Sequence, residues 1–217
     1  MDITYLGHSS FKIKTKTAVV VTDPFPSEML GFKFPKTEAD IVTISHQHKD
    51  HNYLGLIEGD PFVISEPGEY EVKGVSFFGY SSFHDQRSGS ERGENNIYVI
   101  EAEGLRICHL GDLGSAIPPK TLEEISDIDV LMIPVGGEVT INSKEAVDLI
   151  SQIEPYIVLP MHYRAEGINE KTFGVLATLD TFLKEMGAEN SERLDKISLT
   201  KDKLPVETKV VLLERKN

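Results

Sequence analysis

Residues 46–51 read HQHKDH, three histidines and an aspartate in six positions of a 217-residue chain that holds seven histidines in all. Imidazole and carboxylate gathered this densely suit a divalent cation, which takes neutral nitrogen and anionic oxygen donors at about 2 Å. His46 and His48, spaced i and i+2 where a strand-like run ends, can point to one side and converge on one ion. Asp50 and His51 follow where a turn redirects the chain, close enough to serve a second ion beside the first. The competing reading is a solvated charged loop, or a helix start capped by Asp50. It weakens once partners are sought elsewhere.

Every other histidine falls where such a site could use it. His84 ends the strand-like VSFFGYSSFHD, and His109 and Asp112 sit in CHLGDLG, where Gly111 and Gly114 permit a tight turn. His162 closes YIVLPMHY, and His8 follows Gly7 in YLGHSSF. Functional side chains commonly stand at such strand ends, on loops carried by a rigid scaffold. His109, three residues before Asp112, reads as a buttress for the site rather than as a ligand. His8 stays open between a catalytic contact and a histidine satisfied by backbone hydrogen bonds. Arg87 and Arg92 lie just beyond His84 in a Gly/Ser-rich loop, either solvated or able to reach a substrate phosphate or carboxylate.

The elements that must position these residues are legible from periodicity. DITYLG, SFKIKT and AVVVTDP are short β-branched or alternating runs with turns between them, the pattern of antiparallel hairpins. ADIVTIS is a buried-strand pattern that delivers the histidine run at its C-terminal end, and PFVIS, YEVKGVSFFGYSSF, NNIYVIEAEG and LRICH continue in strand character. Helical periodicity begins later, at PPKTLEEIS and at NSKEAVDLISQI, where Asn142 or Ser143 is the expected cap. Residues 169–187 read as the longest amphipathic helix, ending at Gly187, and the chain closes in a polar loop and an expected edge strand. Strands first, then alternating helix and strand, indicate a layered α+β sandwich; the absence of repeats or linkers indicates a single domain over 1–217.

HQHKDH matches the HxHxDH signature of the metallo-β-lactamase superfamily, and His84, HLGD and MHY resemble its later ligand motifs in order. YLGHSSFKI and VVVTDPF resemble the opening of its branch of metal-dependent hydrolases, which includes ascorbate-phosphate lactonase-like and phospholipase D-like members. The resemblance covers about residues 3–163. It implies an αββα four-layer sandwich with two divalent ions at one edge. His46, His48 and His84 would hold one ion, Asp50, His51 and His162 the other, and Asp112 would bridge them. Asp23 would orient the histidine loop by hydrogen bonds, and Asp50 would double as proton acceptor and donor. The implied activity is hydrolysis by a metal-activated water on a small ester, lactone or phosphodiester, with zinc the first choice of metal and manganese, iron or nickel the alternatives.

Composition sets the remaining expectations. A formal charge of -13 opposes a broad surface for nucleic acid or anionic membrane, leaving a small molecule as the expected partner and nuclease or phosphodiesterase action on nucleic acid as the alternative. The redox di-iron branch carries glutamate where His48 stands and adds a flavin domain, and non-catalytic relatives commonly lose ligands. Cys108 stands alone, so no disulfide forms within the chain. No basic, apolar leader opens the sequence and no run is long enough to span a bilayer, so a cytoplasmic location is expected. A homo-oligomer is compatible with all of this.

Overall fold

The computed structural model describes residues 1–216. Short β-branched runs separated by turns open the chain as an antiparallel meander, β1 (Asp2–Gly7), β2 (Ser10–Lys14) and β3 (Val19–Thr22). The four-residue helix α1 (Ser27–Leu30) and the short β4 (Thr37–Glu38) lead into β5 (Ile41–Thr43), which lies parallel to β3. Beyond the histidine loop, β6 (Ile57–Glu58) pairs with β4 and β7 (Phe62–Ile64) pairs with β5. A second meander follows in β8 (Gly68–Val72), β9 (Val75–Phe83), β10 (Glu94–Ala102) and β11 (Leu105–His109).

Helix then alternates with strand: α2 (Pro119–Glu124), β12 (Val130–Pro134), α3 (Ser143–Ile153) and β13 (Ile157–Met161). The chain ends through α4 (Glu170–Phe173), α5 (Leu179–Met186), β14 (Glu192–Leu194), β15 (Ile197–Ser198) and β16 (Lys209–Leu213). Helix α3 starts at Asn142, whose side chain accepts from the backbone of Lys144 and Glu145 while Glu145 accepts from the Asn142 backbone. Such a reciprocal cap contributes about 1 kcal/mol.

Six strands form one sheet in the order β15-β1-β2-β3-β5-β7, and eight form the other in the order β14-β16-β13-β12-β11-β10-β9-β8. The period-two alternation of each strand sorts its side chains between two cores. Tyr5, Ile13, Val20 and Ile41 meet Phe77, Ile100, Val130 and Met132 between the sheets. Val99, Leu131 and Ile133 turn the other way, onto Ala146, Leu149 and Ile150 of α3 and Phe182 and Leu183 of α5. On the outer face of the smaller sheet, Val21 and Val42 pack against Leu30, Phe34 and Phe173. Four layers result, α, β, β and α, the expected sandwich.

Two expectations fail. Residues 169–187 are not one helix but α4 and α5, separated at 174–178. Tertiary hydrogen bonds win over helical periodicity there: Ala177 donates to Gly136 and its carbonyl accepts from Arg164, which holds this stretch extended. The closing strand is also not an edge. β16 runs between β13 and β14, parallel to both, and its KVVLL run is buried from its second residue onward.

Strand direction is what places the site. Two antiparallel steps make β1, β3 and β5 run the same way in one sheet, and β9, β11, β12 and β13 run the same way in the other. Their C-terminal ends therefore gather along one rim of the sandwich. Backbone bonds from His162 to His8 and from Asn96 to Ser45 stitch the two sheets together there.

Candidate metal centre

Each candidate residue leaves the C-terminal end of a strand on this rim. His8 follows β1, Asp23 follows β3, His46 to His51 follow β5, and His84 follows β9. Asp112 lies beyond β11 and His162 beyond β13. His8, Asp23 and His162 all have positive φ (55°, 38° and 51°), the sharp turns that aim these side chains inward. All of them except His48 are buried or nearly so.

Asp112 is the hub. Its Oδ2 lies 3.1 Å from His162 Nε2, 3.2 Å from His51 Nε2, 3.3 Å from His84 Nε2 and 3.9 Å from His46 Nε2. Around it the donors fall into two groups. His46, His48 and His84 have ligand atoms within 4.8 Å of one another, and so do His8, Asp50, His51 and His162. His8 therefore stands with the second group, its Nε2 3.1 Å from Asp50 Oδ2.

The hydrogen bonds decide which ring nitrogens are free. Asp23 accepts from the Ser45 backbone at 2.7 Å, from Ser45 Oγ at 2.6 Å and from His51 Nδ1 at 3.0 Å. Because the Ser45 hydroxyl proton goes to Asp23, its oxygen accepts from His46 Nδ1 at 2.9 Å. Both histidines are thus protonated on Nδ1 and turn the Nε2 lone pair toward Asp112, the tautomer a metal ligand requires. His46 Nε2, left without a proton, accepts from His48 Nδ1 at 3.0 Å. His109 is spent otherwise. Its Nδ1 accepts from the Gly111 N–H, so Nε2 donates to the Ser9 carbonyl at 2.8 Å, and it belongs to neither group.

Electrostatics point the same way. Burial opposes charge on Asp112, yet His162 and His51 hold its carboxyl well below the usual carboxylate range. Burial opposes Asp50 likewise, and His51 and His8 hold it low. Burial, then the neighbouring His51, pushes His46 down to about 3; burial, then His162, pushes His8 down to about 4. His51 is the exception, raised against its burial by Asp112 and Asp50. Among the described residues, buried His51 Nε2 has no hydrogen-bond partner, nor do the Nδ1 atoms of His8, His84 and His162. The orphaned His51 Nε2, 3.2 Å from Asp112 Oδ2 and 3.5 Å from Asp50 Oδ2, is costly unless a cation sits among them. The donor set fits divalent metal.

Three supports are absent from the candidate residues of the sequence. Ser45 relays Asp23 to His46. Asn95 accepts from the Asp112 backbone through Oδ1, and its own amide is held by Ser82 and Leu110. Asp85, directly after His84, accepts four backbone N–H groups, from Arg87, Gly89, Glu91 and Arg92. An aspartate followed by Ser/Gly-rich turn residues was the available clue to the last of these. The centre opens into a cleft of about 180 Å³ lined by His48, Asp50, His84, Asp112 and His162, with Met29, Val139, Phe173, Val175 and Leu176 as apolar walls. Among the described residues no helix is long and apolar enough to cross a membrane.

Comparison with known proteins identifies the family. A family model described as a beta-lactamase superfamily domain matches residues 2–162. A "UPF0173 metal-dependent hydrolase" of Salinibacter ruber is 32% identical over 196 residues, covering 75% of this chain and 84% of that protein. One of Thermococcus onnurineus is 30% identical over 192 residues, with the same coverage. The fold is similar to a crystal structure from Thermotoga maritima of a metallo-beta-lactamase superfamily protein whose proposed activity is zinc-dependent hydrolysis. The TM-score is 0.81 at 38% identity, with 99% of each chain covered.

Proposed function

The chain belongs to the beta-lactamase superfamily and is a metal-dependent hydrolase, and on that premise we propose that it uses two divalent cations to hydrolyse a small ester, lactone or phosphodiester. The observation that carries this reading is Asp112 Oδ2, within 3.1–3.9 Å of four imidazole nitrogens drawn from both donor groups. His46, His48 and His84 would hold one ion and Asp50, His51 and His162 the other, with Asp112 between them. The mixed nitrogen and oxygen donors suit zinc first, then manganese, iron or nickel. Bound cations of this kind make water nucleophilic near neutral pH and polarise the carbonyl or phosphoryl oxygen of a substrate.

The chain's own residues supply the rest. Asp50 lines the cleft and is the residue assigned to take and return a proton. His8 Nε2–H donates to Asp50 Oδ2 and steadies the carboxylate. Asp23 and Ser45 keep His46 and His51 in the ligating tautomer throughout. Met29, Val139, Phe173 and Leu176 exclude bulk water and receive the apolar part of a small substrate, in keeping with the modest cleft.

Elemental analysis of purified protein, coupled to chromogenic phosphodiesters, lactones and β-lactams with added zinc or manganese, tests the reading. Two metal equivalents per chain and turnover of at least one substrate class are expected. His48→Ala should weaken metal binding and abolish hydrolysis while circular dichroism shows the fold intact. Wild-type turnover in that variant would refute the ligand assignment.

A further inference from the structure

We propose that Arg92 is the residue that selects a substrate carrying an anionic group, a carboxylate or phosphate, beside the bond to be broken; the proposal rests on the hydrolase reading above. Arg92 lines the cleft that contains His48, Asp50, His84, Asp112 and His162, and among the described residues no lysine or second arginine lines it. Arg92 also borders the two clefts that adjoin the first donor group, one beside His46 and His48, the other beside His84 and Asn142. It stands where the approaches to the centre converge.

Two arginines share this loop and differ in what they do. Arg87 Nη1 is paired with Glu91 at 2.7 Å, an exposed i,i+4 bridge. Arg92 is paired with no carboxylate among the described residues, so its planar fork of donors is free for a ligand. Its backbone is nevertheless fixed. The Arg92 N–H donates to Asp85 Oδ2 at 2.8 Å, and the same carboxylate clamps Arg87, Gly89 and Glu91. Asp85 directly follows His84, and His84 N–H donates to Gly93 at 3.1 Å, so the loop bearing Arg92 is tied at both ends to a candidate ligand. A rigid loop carrying an unpaired cation costs little ordering entropy when an anion arrives.

Charge makes the location informative. The chain carries -13 formally, and Glu66, Glu91, Glu94, Glu138 and Glu145 border the adjoining clefts. An anion is repelled by that surround unless a local cation meets it. Away from the cations that the donor groups would hold, the cleft walls offer it the Thr172 hydroxyl and apolar surface, and Arg92 is the one cationic side chain of lysine or arginine lining it among the described residues. Bidentate pairing of guanidinium with carboxylate or phosphate supplies the match and fixes the orientation of the substrate relative to the donor groups.

The test pairs two esters that differ by a carboxylate in place of a methyl, 4-nitrophenyl hydrogen adipate and 4-nitrophenyl hexanoate, assayed with the metal-loaded protein. The wild type should show a KM about tenfold lower for the adipate ester. Arg92→Met should erase that preference through KM and leave kcat on the hexanoate ester unchanged. Arg92→Lys should keep part of it, and Arg87→Met all of it. Equal losses on both esters in Arg92→Met, or no preference in the wild type, would overturn the proposal. If the wild type hydrolyses neither ester, the small-ester reading fails, and calorimetry with free adipate decides the role of Arg92 separately. Binding about tenfold weaker in Arg92→Met than in wild type and Arg87→Met supports it; equal binding in all three sinks it.

Discussion

His51 and Asp50 are held from behind by the protein: His51 by Asp23, Asp50 by His8, while the His162 backbone hydrogen-bonds the His8 carbonyl. Among the described residues, His48 and His84 have no such backing from a side chain behind the ring. His48 is the least buried candidate ligand, and the side-chain hydrogen bond it makes is to its neighbour His46. The two groups thus share Asp112 but differ in enclosure. A donor set fixed by buried hydrogen bonds is preorganised, and the ordering entropy is already spent during folding. A set facing a cleft can yield to an incoming substrate. His48 is the accessible donor at the mouth, beside Arg92, while His46 and His84 of its group are buried like Asp50, His51 and His162.

The largest effect is expected where the groups meet. Asp112→Ala should remove both metal equivalents and lower kcat/KM by about a thousandfold or more. Metal analysis showing only one equivalent lost would mean that the groups are independent. Next comes the brace behind both tautomers. Asp23→Ala leaves the Ser45 and His51 donors buried without an acceptor, and denaturant unfolding should show a loss of about 3 kcal/mol. Metal affinity should fall about ten- to hundredfold with it.

Two glycines offer a sharper contrast between the groups. A Cβ on Gly114 would overlap the His84 carbonyl, and a Cβ on Gly136 would overlap the His162 carbonyl. Gly114→Ala should therefore release metal from the cleft-side group first, and Gly136→Ala from the enclosed group first, each with about 1–3 kcal/mol of destabilisation. Stepwise chelator titration distinguishes them, and identical release curves would erase the proposed difference. The smallest effect falls on the brace of Asp50. His8→Ala should leave metal content nearly unchanged and slow turnover about tenfold. Loss of a whole metal equivalent would instead make His8 a ligand.

Much of the architecture could be read from the chain because it rests on local patterns. The strand runs of the first half and the Asn142 cap are period-two and capping signals that tertiary contacts do not override. The split of 169–187 was hidden, because the hydrogen bonds from Ala177 to Gly136 and from Arg164 to Ala177 come from residues distant in sequence. The interior position of β16 was hidden for the same reason: pairing partners leave no mark within a single strand. Ser45 and Asn95 are ordinary polar residues in the sequence, and only burial reveals what their hydrogen bonds support.

By itself the sequence determined the inventory of donors and their place at strand ends, since residue type and hydrophobic period are local properties. The folded chain decided convergence: parallel strand directions in two sheets bring positions 8, 46, 84, 112 and 162 to one rim. It also decided which nitrogen of each ring is free, because a tautomer is set by the hydrogen bond at the opposite nitrogen, and for His51 that partner, Asp23, lies 28 residues away.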